Sequence, residues 1–285
     1  MPVIIGTRKS KLAMIQAQKV KDELENIGYD CIIKGYTSGG DVDVQTPLYR
    51  SSSTGVFVEE LNNLVLNHTV DIAVHSGKDI PSNMGKNLEI AGTLKRGDYR
   101  DALISEMDIG SMPAGYVIGT SSYRRIRELK TMNPQIEIKD IRGNIDTRLN
   151  KYKNGEYNGI VIAKAAYDRM NLTEPHFTLP VEDFVPAPNQ GIIAIVAMRG
   201  SKYSDIIKNV NDIETYEDFT VERFIVRELN LGCSMPAGIL SRNKNVLTRF
   251  YSLKSGDYKN IFFYNEDKQK MVNKIKEEIR DYGYF

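Results

Sequence analysis

Tryptophan is absent from the 285 residues, and only two cysteines and three histidines occur. Two cysteines cannot build a disulfide framework, which fits a reducing, cytoplasmic setting. The histidines, His68, His75 and His176, share no ligand spacing with Cys31 or Cys233, so no metal site is read. Net charge is also nearly missing: 38 Lys and Arg against 37 Asp and Glu leave +1. That excludes bulk electrostatic binding of nucleic acid, and any anion site must be built from local clusters. No apolar run is long enough to cross a bilayer. The opening "MPVIIGTRKSKLAM" lacks the apolar stretch of a secretory signal. Neither a GxxxxGK[ST] loop nor a GxGxxG after a strand is found, which closes the common nucleotide routes.

What is present describes a soluble globular chain of two or three domains, 41% apolar and 26% charged. "PVIIGT" reads as a strand. In the helix that follows, Ala13, Ala17, Val20, Leu24 and Ile27 recur at alternating spacings of four and three. Ser10 is placed as its N-cap and Gly28 as its stop. "YDCIIKGYT" reads as a strand holding Cys31 as a small buried side chain. "TPLYRSSSTG" is expected to be a mobile loop. A helix in "VFVEELNNLVLNH" and strands in "VDIAVHS" and "LEIAGTL" complete a first α/β lobe.

A second strand–turn–helix begins at "YVIGTSSYRRIRELK", where "VIGT" echoes the earlier "IIGT" and suggests two lobes of similar plan. It continues through "IEIKDIRG", "NIDTRLNKYKNG", "GIVIA" and "KAAYDRM". The Pro-rich "LPVEDFVPAPNQG" marks a linker or lobe crossing. The strand "IIAIVAM", a helix near "YEDFTVERFIVRELN" and a C-terminal α/β remainder follow.

Both "GT" pairs stand where a strand gives way to a helix, a place that favours an anion. Arg8 and Ser10 adjoin the first. Thr120, Ser121, Ser122, Arg124 and Arg125 adjoin the second, and Arg142, Arg148 and Arg169 lie at further junctions. Guanidinium binds carboxylate bidentately, so together these point to a ligand with many negative groups. Taken singly, each reads as a solvated surface charge. In "DIAVHSGKDIPSN", Lys78 and Asp79 share a tight turn; the carboxylate is either a local cap or a group that manages charge in a cleft. Cys233, in "LNLGCSMPAG", is an incidental thiol, a nucleophile or an attachment point. A non-catalytic anion receptor, or a nucleic-acid binder using "RRIRELK", would each explain part of this pattern.

Taken in order, "GTRKSKLA", "GVFVEEL", "DIAVHSGKDIP", "RDAL", "GTSSYRR", "IRGNIDTRL", "PAPNQG" and "LGCSMPAG" resemble the porphobilinogen deaminase (hydroxymethylbilane synthase) family over nearly the whole chain. The resemblance implies two periplasmic-binding-protein-like (type II) α/β domains plus a small α+β C-terminal domain. The ranges would be 1–95 with 190–212, 97–188, and 214–285. It implies a transferase that condenses four porphobilinogen molecules head to tail, releases ammonia at each step and frees the linear tetrapyrrole of haem biosynthesis. The resemblance also implies that the growing chain is held on a dipyrromethane cofactor joined by a thioether to Cys233.

By motif position, the resemblance makes Asp79 catalytic. Arg8, Ser10, Lys78, Thr120, Ser121, Ser122, Arg124, Arg125, Arg142, Arg148, Arg169 and Gln190 would bind cofactor and substrate, and Arg50 and Phe57 would belong to a mobile loop. A cytoplasmic monomer without nucleic-acid or membrane partners is expected. Five positions depart from the family pattern: Gly77 for Met, Thr54 for Lys, Gly39 for a basic residue, Asn189 for Gly, and "LGC" for "GGC".

Overall fold

The computed structural model describes residues 1–37, 53–232 and 235–284, with backbone only for 53–57. The elements run β1 (Val3–Arg8), α1 (Lys11–Asn26), β2 (Cys31–Tyr36), α2 (Ser53–Leu66), β3 (Ile72–Ser76) and β4 (Leu88–Thr93). Next come β5 (Asp101–Ser105), β6 (Val117–Gly119), α3 (Tyr123–Met132), β7 (Glu137–Lys139), α4 (Ile145–Lys153), β8 (Gly159–Ala163), α5 (Lys164–Arg169) and β9 (His176–Thr178). The chain ends with β10 (Ile193–Met198), α6 (Lys202–Lys208), α7 (Ile213–Glu228), β11 (Ala237–Arg242), β12 (Asn245–Tyr251), β13 (Tyr258–Tyr264) and α8 (Lys268–Glu278). Two compact units result, residues 1–97 with 191–217, and residues 98–190 with 218–285.

The first unit holds a five-stranded sheet ordered β2-β1-β3-β10-β4, and the second holds one ordered β7-β6-β8-β5-β9. In each, a central strand pairs in parallel with two neighbours, β1 with β2 and β3, β6 with β7 and β8. In each, the fourth strand is antiparallel to both its neighbours. β1 and β6 therefore occupy the same place, and the "IIGT"/"VIGT" echo marks equivalent strands. This shared order is the doubled α/β plan that the resemblance implied. A separate antiparallel sheet, β11-β12-β13, packs with α7 and α8 in the second unit.

Local chemistry explains the first helix. Ser10 caps α1 by accepting from the Ala13 N–H at 3.4 Å. Gly28, at φ +92°, closes it: its N–H donates to Glu25 and that of Tyr29 to Leu24, both at 3.0 Å. Ala17, Val20 and Leu24 are fully buried against Ile5, Ile72 and Ile195 of the sheet. Each such large side chain contributes roughly 1.5–3 kcal/mol. Cys31 is buried as expected, and burial pushes its thiol up to about 11.

The first "GT" pair corrects the reading of its turn, whereas the second does stand between the end of β6 at Gly119 and the start of α3 at Tyr123. β1 continues past Gly6 and Thr7, because its parallel partner extends the ladder to Arg8 opposite Tyr36. Gly6 is needed for close approach instead: a Cβ there would lie 3.0 Å from Val70 and 3.1 Å from Leu61. Gly119 repeats the arrangement, with Tyr157 at 2.9 Å.

Candidate functional site

In the first unit, the carboxyl ends of parallel β1 and β3 and the start of α1 enclose a cavity of about 100 Å³. Arg8, Ser10, Gln16, His75, Ser76 and Asp79 supply its polar lining; Leu12, Ala13, Val58 and Val74 supply the rest. Strand ends of this kind are where open α/β sheets take ligands. Asp79 reaches the cavity because a single 3-10 turn, Gly77–Asp79, follows β3 directly. The Gly77 N–H anchors that turn to the Ile192 carbonyl at 2.8 Å. Lys78, on the same turn, is exposed and does not line the cavity.

Two polar pairs in this cavity were not legible in the sequence. Gln16 and Ser76 bond to each other, at 2.9 and 3.1 Å. The His75 Nε2 lies 3.1 Å from the Asn62 Oδ1. Burial, with Arg8 nearby, drives the His75 imidazole down to about 4, so the ring is neutral at ordinary pH.

In the second unit, the residues expected around the head of α3 do gather there, though with internal partners. Ser122 caps α3 by accepting from the Arg125 N–H at 3.5 Å. The Ser121 Oγ donates to the Ile141 carbonyl at 2.9 Å and accepts from the Ile141 N–H at 3.1 Å. A serine has one O–H, so in this structure the Ser121 hydroxyl proton is directed at Ile141. Thr120 is buried, and its Oγ1 accepts from the Ser122 N–H at 3.3 Å.

Arg124 and Arg125 are 4% and 7% exposed, and both pair with the fully buried Asp101. Arg124 also donates to the Val185 carbonyl and Arg125 to that of Val161, at 2.8 and 2.9 Å. Their forks are largely engaged inside the protein, because guanidinium moved out of water needs a counter-charge. Burial pulls the Arg125 guanidinium below its ordinary value. Gln190 joins them, its amide donating to Asp101 at 3.1 Å and to the Tyr99 carbonyl at 2.9 Å. Asp101, quoted only within "RDAL", is thus the organising residue that sequence reasoning missed. A carboxylate inside the apolar run "DALIS" was its signal.

The remaining arginines lie elsewhere in the second unit. Arg142 is half-buried in the loop before α4. Arg148, within α4, donates from Nε to the Gly143 carbonyl at 2.8 Å. Arg169 ends α5, and burial lowers its guanidinium to about 10. Arg50, Cys233, Gly39, the "TPLYRSSSTG" segment as far as Ser52, and the Phe57 and Thr54 side chains lie outside the described residues. No cluster of three or more His, Cys, Asp or Glu able to hold a metal occurs among the described residues.

Buried ion pairs extend beyond Asp101. Arg249 pairs with Glu128 at 2.7 Å, and Glu128 also feels the charge of Arg124. Arg124, Arg125 and Arg249 then face Asp101 and Glu128, three guanidiniums against two carboxylates. The buried Arg124 Nε has no hydrogen-bond partner among the described residues. Burial of "RRIRELK" also removes its first two arginines from the exposed basic face that a nucleic-acid binder would need.

Residues 3–205 match the family model described as porphobilinogen deaminase, dipyromethane cofactor binding domain. The chain belongs to the porphobilinogen deaminase family. With membership come the family's activity on porphobilinogen and its dipyrromethane cofactor, as the motif order implied. A probable porphobilinogen deaminase of Picrophilus torridus is 54% identical over 285 residues, covering 100% of both chains. That of Thermoplasma volcanium is 44% identical, covering 100% of this chain and 98% of its own. That of Methanocella arvoryzae is 43% identical over 237 residues, covering 82% and 78%. Among solved structures, the second substrate binding domain of a putative amino acid ABC transporter from Streptococcus pneumoniae aligns at TM-score 0.44 and 10% identity. It covers 78% of this chain and 97% of that one, and the fold assignment rests on the sheets rather than on that likeness.

Proposed function

We propose that this member of the family joins four porphobilinogen molecules head to tail, with Asp79 as the catalytic carboxylate and Cys233 as the thioether anchor. The observation that carries the reading is the shared cavity of Arg8, Ser10 and Asp79 at the ends of β1 and β3. A pyrrole bearing acetate and propionate needs donors at its rim and an acceptor at its ring N–H. Arg8 and Ser10 supply the donors, and Asp79 supplies the acceptor.

Loss of ammonia from the substrate leaves a cation whose charge reaches the pyrrole N–H. A carboxylate held about 4 Å from that charge, at an effective dielectric near 20, stabilises it by about 4 kcal/mol. If the interaction develops only as ammonia leaves, it accelerates the step by about a thousandfold. Bound dipyrromethane would supply the pyrrole end to which each unit is added. Arg124 and Arg125, through N–H groups not already turned on Asp101, would hold its carboxylates, with Thr120, Ser122, Arg142, Arg148 and Arg169 serving the added units. Lys78 belongs to this proposal as an approach-path cation, and Gln190 as the residue that orients Asp101. Arg50 is assigned to the site by the family pattern; Phe57 lies within α2 rather than in a loop, which corrects its reading as a loop residue.

The β11-β12-β13 sheet with its helices is proposed as a third domain that presents Cys233. The chain is proposed to work as a cytoplasmic monomer; no helix among the described residues is long and apolar enough to cross a membrane. Replacing Asp79 by Asn tests the central role. The variant is expected to carry part of its cofactor by mass and to consume porphobilinogen about a thousandfold more slowly. Turnover near that of the unsubstituted chain would overturn the assignment.

A further inference from the structure

We propose that His75 is a second ligand-contacting residue of the cavity, its Nδ1 accepting a hydrogen bond from an N–H of the pyrrole unit that reacts beside Asp79. The inference rests on the reading of that cavity given above and adds a group to it.

The ring's geometry fixes its proton. Nε2 meets the Asn62 Oδ1 at 3.1 Å, and an amide oxygen only accepts. Nε2 therefore carries the hydrogen, and Nδ1 keeps a lone pair. Asn62 is the only hydrogen-bond partner of the ring among the described residues. Asn62 is itself buried on α2, so the ring is held from behind.

The rest of the lining leaves this lone pair useful. Gln16 and Ser76 are engaged with each other, and the Ser10 oxygen caps α1. Asp79 and the His75 Nδ1 both offer an acceptor to a group carrying only N–H. The ring must be neutral to do so, since an imidazolium would present a second donor and repel a developing cation. Burial and the neighbouring Arg8 keep it neutral. Arg8 in turn faces the acidic substituents of the same unit. One small cavity thus offers a cation to the substrate's carboxylates and two acceptors to its nitrogen.

Two substitutions separate contact from support. In His75→Asn the amide oxygen can take the place of Nδ1, while the bond to Asn62 is lost. In His75→Gln the longer side chain reaches Asn62 but leaves the Nδ1 position without an acceptor. Steady-state rates on porphobilinogen, intact mass and imidazole ¹⁵N resonances of the unsubstituted holoenzyme provide three readouts.

His75→Gln is expected to keep its cofactor mass and lose about tenfold in kcat/KM. His75→Asn should stay within about threefold of the unsubstituted chain. The Nδ1 resonance should shift when porphobilinogen is added, which holds even if a variant does not fold. The reverse order of the variants, or an Nδ1 resonance unmoved by saturating porphobilinogen in an active, loaded enzyme, would overturn the role of His75 alone. A chain with no cofactor mass and no turnover would overturn that role together with the reading of the cavity.

Discussion

The Asp101 carboxylate accepts from Arg124 on one oxygen at 2.7 Å and from Arg125 on the other at 2.6 Å. One strand thereby holds both guanidiniums of the next helix. The carboxylate is fully buried, so the pairing is not weakened by solvent as a surface bridge would be.

Asp101→Asn should therefore leave two buried cations facing a neutral amide. The expected loss of unfolding free energy is about 3–5 kcal/mol, read from urea denaturation at neutral pH. A loss below about 1 kcal/mol would show that the two arginines find other partners.

Glu128 and Arg249 make a second buried pair, at 2.7 Å, with the Tyr251 hydroxyl donating to the same carboxylate at 3.0 Å. Burial already holds the Glu128 carboxyl above its usual range, against the pull of Arg249 and Arg124. Removing Arg249 as Met should raise it further. A folded value above the unfolded one means that stability is full at low pH and declines as pH rises through the folded value. Arg249→Met should accordingly lose about 3–5 kcal/mol at pH 8 and clearly less at pH 5. Adding Glu128→Gln should restore part of the loss at pH 8, which urea titrations at the two pH values can read.

His75 gives the opposite sign. Its imidazole falls from 6.5 to about 4 on folding, so the unfolded chain binds more protons between those values. Stability is full above about pH 6.5 and falls as pH drops toward 4, by about 3 kcal/mol in all for this group. His75→Gln should flatten the difference in unfolding free energy between pH 7 and pH 4.5. An unchanged difference would place the titration elsewhere.

Much of the fold could be read directly. Helix α1 with Ser10 and Gly28, the strand holding Cys31, and the equivalence of "IIGT" with "VIGT" all depend on local periodicity and caps. The departure at Asn189 also has a local reason: the residue sits at φ +61°, where asparagine is among the best tolerated side chains. Its N–H is received by the buried Glu222, which also accepts from Ser241 at 2.7 Å.

What could not be read was the pairing of charges. Asp101 and Arg124 are 23 positions apart, and Glu128 and Arg249 are 121 apart. A sequence displays an arginine's charge but not the carboxylate that the fold brings to it. For that reason Arg124 and Arg125 looked like open forks for ligand. Gln16 and Ser76, 60 positions apart, meet because α1 packs against β3. Adjacency in sequence puts Lys78 beside Asp79, yet a 3-10 turn directs consecutive side chains differently.

The most direct test of the whole account is the intact mass of the purified protein. An excess equal to two linked pyrroles, absent from Cys233→Ser, is the expected result. A chain that weighs only what its sequence dictates, yet is folded and forms hydroxymethylbilane, would contradict a covalent primer at Cys233.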